Sequence, residues 1–263
     1  MRLATFLAPD SDRSIGGEVQ DGCVVAFGDG SSVLDRIAGG DLSPATGDRY
    51  GLSEVELLAP ITRLPNIYGV GLNYRSHAAE IGAEPPEFPV IFPKGASSST
   101  GPSGPVFCPS VVKRLDYEGE LAVIIGRDSS IFGFAVADDI SARDLQAREP
   151  HWVRAKGADS FCPWGPWITT ADEIADPTAL VVKAWVNGDL RQEAPVSDLV
   201  HPIADIISFI GEAISLVPGD MILTGTPAGV GMGMDPKTFL EDGDVVRIEI
   251  EPLGSIEHPI STR

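Results

Sequence analysis

Asp116, Glu118 and Glu120 alternate at the head of an apolar, β-branched run, Leu121–Ile125, that Gly126 closes. A strand turns successive side chains to opposite faces, so the three carboxylates are expected on one face. Like charges at that spacing repel and resist full ionisation. Either they face water or a cation lies over them. Oxygen donors with no Cys or His beside them suit Mg²⁺, Mn²⁺ or Ca²⁺ rather than zinc. Asp139 follows the next apolar run, Ile131–Ala137, and is placed to add a carboxylate to such a cation. His77 and Glu80 lie three apart on a predicted short helix and share a face. A carboxylate beside an imidazole raises its basicity and orients it, as a general base requires. On an exposed helix the same pair is worth only about 0.2–0.5 kcal/mol. Arg143 and Gln146, also three apart, can both hydrogen-bond an anion. Alternatively, Asp138 or Asp139 caps the following turn with Arg143 as its surface partner. Lys156 is either a partner for the carboxylates or a solvated surface lysine.

The elements that must position these groups are legible as patterns. Tyr68–Leu72 reads as a strand, Asn73 as the N-cap of the helix carrying His77, and Gly82 as its stop. Residues 83–110, rich in Pro, Ser and Gly, read as a long ordered loop. Residues 156–168 mix turn formers with large aromatics and read as a tightly packed loop. Residues 179–187 alternate like a strand, and Asn187-Gly188 is a hairpin signal. Ile203, Ile206, Ile207, Ile210 and Ile214 recur at helical spacing and predict a buried structural helix. Met221–Leu223 reads as a strand ending in the glycine-rich Thr224–Gly233. That segment can approach an anion closely but lacks the lysine of a phosphate loop. Residues 246–250 alternate as a last strand.

The chain has 263 residues, enough for one large domain with or without a small appendage. Its net charge of -19 argues against nucleic acid or an anionic membrane as partner. Three distant cysteines, Cys23, Cys108 and Cys162, indicate a reducing compartment. The first residues form no signal-like run and no segment approaches a membrane span, so a cytoplasmic protein is expected. The glycines at 69 and 71 make no dinucleotide fingerprint, which disfavours a nicotinamide or flavin enzyme.

Five motifs in order carry a resemblance: G-L-N-Y-R-S-H-A-A-E (71–80), D-Y-E-G-E-L-A-V-I-I-G (116–126), D-D-I-S-A-R-D-L-Q (138–146), K-G-A-D-S-F-C-P-W-G-P-W (156–167) and T-G-T-P-A-G-V-G (224–231). Together they resemble the fumarylacetoacetate hydrolase superfamily over roughly residues 58–260. The resemblance implies an α+β fold of stacked mixed β-sheets and a β-roll with few helices. It divides the chain into a small N-terminal β-rich domain, 1–58, and a catalytic domain, 59–263, in a homodimer. It implies that Glu118, Glu120 and Asp139 ligate Mg²⁺ or Mn²⁺, with Ca²⁺ possible. His77 and Glu80 match the catalytic pair on a lid helix, and Lys156 the active-site lysine. Arg143, Gln146 and Thr226 match positions that contact the acid end of a small 2-oxo acid substrate. Asp116 matches no usual ligand. Two departures stand out: Asp138, where relatives often have Asn, and Gly157-Ala158, which is expected to widen the pocket. The implied activity is hydrolysis of the C–C bond of a 2,4-dioxo acid of the acylpyruvate or fumarylpyruvate kind. The same apparatus fits isomerisation of a hydroxymuconate- or heptadienedioate-type substrate, keto–enol isomerisation, or oxaloacetate decarboxylation. A binding protein without turnover is the competing class.

Overall fold

The computed structural model describes residues 1–262 and is an α+β fold in which strands predominate, with five α-helices among the described residues. The chain opens with β1 (Arg2–Leu7), β2 (Ser14–Gln20), β3 (Cys23–Ala26), α1 (Val33–Gly39), β4 (Arg49–Gly51) and β5 (Glu56–Leu57). It continues through β6 (Ile67–Gly71), α2 (Arg75–Glu80), β7 (Val90–Lys94), β8 (Ser99–Thr100), β9 (Val106–Cys108), β10 (Leu115–Asp116), β11 (Gly119–Ile125) and β12 (Ile131–Asp138). Then come β13 (Ser141–Ala142), α3 (Arg143–Gln146), α4 (Val153–Lys156), β14 (Cys162–Thr170), β15 (Val181–Val186) and β16 (Asp189–Pro195). The last elements are α5 (Ile203–Gly211), β17 (Met221–Leu223), β18 (Val245–Ile250) and β19 (Gly254–Thr262).

One large sheet runs β4-β3-β2-β1-β14-β12-β11-β17-β6-β7. A second, five-stranded sheet runs β16-β15-β18-β19-β9, and β10 pairs with β13. β11 is buried along its whole length, and beyond Glu120 it is apolar on both faces. Its alternation divides the core in two. Leu121, Val123 and Ile125 pack with Val182, Ala184, Ile248 and Ile250 of the second sheet. Ala122 and Ile124 pack on the other side with Leu3, Val33 and Ile37 of the N-terminal segment. That segment extends the large sheet directly, since β1 pairs with β14 through Leu3 and Ile168.

Four local expectations change. Asn73 does not cap α2, whose N-cap is Tyr74. Its amide instead bonds Thr224 O (2.8 Å) and takes the His201 N–H (2.8 Å), joining the base of α2 to the end of β17. The 83–110 stretch contains β7, β8 and β9, because its Pro and Gly residues punctuate strands that pair with β6, β14 and β19. The aromatic segment after Lys156 is not a loop but β14, paired with both β1 and β12. Gly165 and Pro166 sit at a register shift opposite Phe134–Val136, while Pro163 pairs with Thr100 of β8. Finally, the acidic strand is broken. β10 ends at Asp116 and β11 begins at Gly119, so Asp116 leaves the face it was expected to share.

The hairpin at Asn187-Gly188 joins β15 to β16, with both residues at positive φ (52° and 85°). α5 buries Ile203, Ile206 and Ile210 as expected, while Ile214 lies beyond its end and is largely exposed. No helix among the described residues is long and apolar enough to cross a membrane.

Candidate active site

The register of β11 against β12 pairs Gly119 with Asp138, and Asp139 N–H continues the ladder to Glu118 O (2.9 Å). Glu118 and Asp139 are therefore neighbours across two strands, with Glu120 two residues along. Oxygens of these three carboxylates lie within 4.8 Å of one another, all buried. Lys156, the last residue of α4, places Nζ 2.6 Å from Glu118 and 2.7 Å from Asp139. Lys94, the last residue of β7, is also buried; its Nζ pairs with Asp139 and donates to Phe161 O (3.0 Å). Arg143 Nη1 reaches Glu118 at 2.6 Å.

Burial alone would raise the Glu118 pKa, but the Lys156 and Arg143 cations outweigh it and hold this carboxylate well below the usual range. Glu120 goes the other way: burial, with Asp139 and Glu118 alongside, pushes it well above an ordinary carboxyl. It accepts the Gly225 N–H at 2.6 Å. Burial opposes charging Lys156, yet Asp139 and Glu118 override it and raise its pKa. Five carboxylates are buried here, Asp116, Glu118, Glu120, Asp138 and Asp139. Lys94, Lys156 and Arg143 are buried with them. Glu118, Glu120 and Asp139 converge as hard oxygen donors, the donor type that a divalent cation such as Mg²⁺ or Mn²⁺ takes. The donor set fits such an ion.

α2 brings His77 and Glu80 to the same place. His77 Nδ1 lies 3.0 Å from Glu80 Oε2. Against a carboxylate oxygen Nδ1 is the donor, leaving Nε2 for chemistry. His77 borders a cavity of about 280 Å³ together with Glu118, Arg143, Gln146, Lys156 and Thr226. Every residue expected to do chemistry or bind substrate therefore lines this cavity except Glu120, Asp139 and Glu80, which stand behind it. Arg143 donates to Gln146 Oε1 (3.0 Å), while its Nη2 is buried with no hydrogen-bond partner. Thr226 has its hydroxyl engaged, donating to Gly119 O (3.0 Å) and accepting from Gln192 (2.8 Å). A larger cavity, about 350 Å³, lies between the N-terminal strands and Pro60–Arg63 and contains none of these groups.

The two departures resolve. Asp138 points away from the carboxylate cluster, taking the Glu118 N–H (2.8 Å) and contacting His258 Nε2 (3.0 Å). Gly157 and Ala158 do not widen the cavity, since neither borders it. A Cβ at Gly157 would lie 2.7 Å from Val153 O, so the glycine serves a close backbone approach. Asp116 faces Arg143 Nε (2.8 Å) and the backbone of Gly231 and Met232.

Sequence reasoning missed Lys94 and Gln192. Lys94 ends the apolar run Val90-Ile91-Phe92-Pro93, and a charge closing a β-branched run was the available signal. Gln192 is buried in β16, where it accepts the Gly119 N–H (2.9 Å); nothing in its sequence surroundings marks it. The aromatic wall of the cavity was also missed. Phe92 carries the Lys156 ammonium 5.1 Å from its ring centre and packs edge-on against Trp152 at 5.5 Å.

Comparison with known proteins gives a consistent picture. The family model described as "Fumarylacetoacetate (FAA) hydrolase C-terminal" matches residues 66–261. Protein Rv2993c of Mycobacterium tuberculosis is 43% identical over 225 residues, covering 82% of each chain. Oxaloacetate tautomerase YisK of Bacillus subtilis is 41% identical over 225 residues, covering 80% of this chain and 75% of its own. Among solved structures, the fumarylacetoacetate hydrolase of Exiguobacterium antarcticum superposes with a TM-score of 0.89 at 34% identity, over 100% of both chains.

Proposed function

The chain belongs to the fumarylacetoacetate hydrolase family, and from that premise we infer that it is a divalent-cation-dependent enzyme interconverting the keto and enol forms of a short 2-oxo dicarboxylic acid of the oxaloacetate kind. The observation that carries this reading is the placement of His77, backed by Glu80, on the same small cavity as Glu118, Lys156 and Arg143. The choice of tautomerisation is supported by the name of the relative YisK. A volume of about 280 Å³ sits at or below the usual small-molecule range of about 300–1,000 Å³ and suits a compact substrate.

The residues divide the work by chemistry. Glu118, Glu120 and Asp139 would hold a divalent cation, which would supply positive charge against the negative charge that grows on the 2-oxo oxygen during enolisation. Lys156 and Lys94 hold Asp139 from two sides and keep the donor oxygens converged. Arg143, which borders the cavity with its guanidinium held by Gln146, would bind the substrate carboxylate. In the keto-to-enol direction His77 takes the proton from the carbon next to the 2-oxo group and solvent protonates the 2-oxo oxygen; in the reverse direction the enol loses that proton to solvent and His77 returns one to the carbon, while Glu80 holds the imidazole in the productive tautomer.

A second reading is C–C hydrolysis of a 2,4-dioxo acid, supported by the likeness to the hydrolase structure. There His77 activates water instead of moving a substrate proton. One experiment separates them. Enol absorbance of oxaloacetate is followed with Mg²⁺ or Mn²⁺ and with EDTA, and an acylpyruvate is run in parallel with products identified by NMR. Tautomerisation predicts metal-dependent keto–enol exchange of oxaloacetate without release of pyruvate. His77→Ala is expected to slow it by about 10²–10⁴-fold while calorimetry shows unchanged metal affinity. Pyruvate and a free acid from the acylpyruvate, with oxaloacetate exchange at its background rate, would give the enzyme to hydrolysis.

A further inference from the structure

The glycine-rich segment after β17 touches both halves of the site. Gly229 donates its N–H to Glu80 Oε1 (2.8 Å), the oxygen opposite the one that meets His77. Two residues on, Gly231 and Met232 donate to Asp116 at 2.7 and 3.0 Å. The same Asp116 accepts from Arg143 Nε at 2.8 Å. Tyr117 closes the circuit, its hydroxyl donating to Gly229 O at 2.6 Å.

The segment fits without slack. A Cβ added to Gly229 would lie 1.9 Å from Arg191 O, and one on Gly231 would lie 1.9 Å from Thr238 O. One on Gly233 would lie 2.2 Å from the Glu80 carboxyl carbon. Glu80 is therefore seated by backbone on one side and by the absence of side chains on the other. Asp116 and Tyr117 do not border the cavity and touch no cluster oxygen except through Arg143. Asp116 holds Arg143 and the backbone of Gly231 and Met232, and Tyr117, whose ring is part of the core, holds the Gly229 carbonyl.

We propose that Asp116 and Tyr117 are positioning residues which, through residues 229–233, set the Glu80–His77 pair and the Arg143 guanidinium in register as one rigid unit. This rests on the proton-transfer reading, and it predicts a separable pattern. Tyr117→Phe deletes only the bond to Gly229 O, so it should lower kcat and spare KM. Gly233→Ala pushes on Glu80 and should do the same. Asp116→Asn loosens Arg143 as well, so it should lower kcat and raise KM together. A loss of up to about 100-fold in kcat is in keeping with misplacement of a reacting group by an ångström or less.

The test measures kcat and KM for oxaloacetate in the Mg²⁺-loaded wild type and the three variants, with Mg²⁺ affinity by calorimetry. A second readout is the downfield His77 Nδ1–H resonance, assigned by its disappearance in His77→Ala. Support would be a lower kcat, unchanged KM and Mg²⁺ affinity, and a weakened or shifted resonance in Tyr117→Phe and Gly233→Ala. An unchanged kcat and resonance in Tyr117→Phe would overturn the proposal, as would a KM rise equal to that of Asp116→Asn. If the wild type did not act on oxaloacetate, the tautomerase reading would fall, and the resonance alone would still decide this one.

Discussion

Glu120 is the residue whose chemistry differs most from its isolated form. Burial and the adjacent Asp139 and Glu118 raise its pKa above the ordinary 4.5, so the folded protein holds its proton more tightly than the unfolded chain does. Its contribution to stability is then greatest below 4.5 and is lost as pH rises through the raised folded value. Glu118 has the opposite sign: its contribution is present above 4.5 and is lost only as pH falls through its lowered value. The metal-free protein should therefore melt higher at mildly acidic pH than at neutrality. Glu120→Gln should raise the metal-free melting temperature at pH 7 and flatten this dependence while abolishing Mg²⁺ binding by calorimetry. A variant that melts lower at pH 7 would contradict the assignment of strain to this carboxyl. Much of this was legible in Glu118, Glu120 and Asp139, because alternation and a strand end place carboxylates without knowledge of the rest. Lys94 was not, because a lysine after four apolar residues looks the same whether it meets water or a buried Asp139.

At the scale of elements, α2 is only six residues long and owes its place to neighbours more than to propensity. Asp198 accepts the Ser76 N–H (3.0 Å), and Arg75 reaches the Asp198 carbonyl (3.1 Å). Asp198→Ala removes this substitute for an N-cap and is expected to cost about 0.5–2 kcal/mol locally. Amide exchange of residues 75–80 should quicken and kcat should fall, with β11 and β12 still protected; unchanged exchange would show that the cap is idle. The helix itself was readable from His77, Glu80 and Gly82, but its capping was not, since the partner lies more than a hundred residues away. β7 and β14 were missed for a related reason. Their Pro and Gly residues are tolerated because β6 on one side of β7, and β1 and β12 on both sides of β14, fix the backbone.

Over the whole molecule, the carboxylates sit at the adjoining ends of two central strands, so an ion bound there ties β11 to β12. At a hundred-fold excess over Kd, Mg²⁺ or Mn²⁺ should add about 2.7 kcal/mol to global stability. A domain of this size shifts by about 2–4 °C per kcal/mol, so calorimetric melting should rise by roughly 5–10 °C and fall back with EDTA. No shift with either ion would argue against a resident divalent cation. The continuous apolar runs of β11 and β12 marked them as core strands, but the order of strands was not readable. That order has a consequence in time. Leu223 of β17 pairs with Ala122 on one side and with Gly69 on the other, so the seam between β11 and β6 is filled by a strand made about a hundred residues after β11. At about 5–20 residues per second of synthesis, two unpaired edges wait on the order of ten seconds on the ribosome. Gly225 and Gly229, which bind Glu120 and Glu80, emerge only after that strand. The carboxylate site is thus completed late, with only β18 and β19 still to be made, and a nascent chain that stalls before residue 223 carries an open seam for another chain to fill.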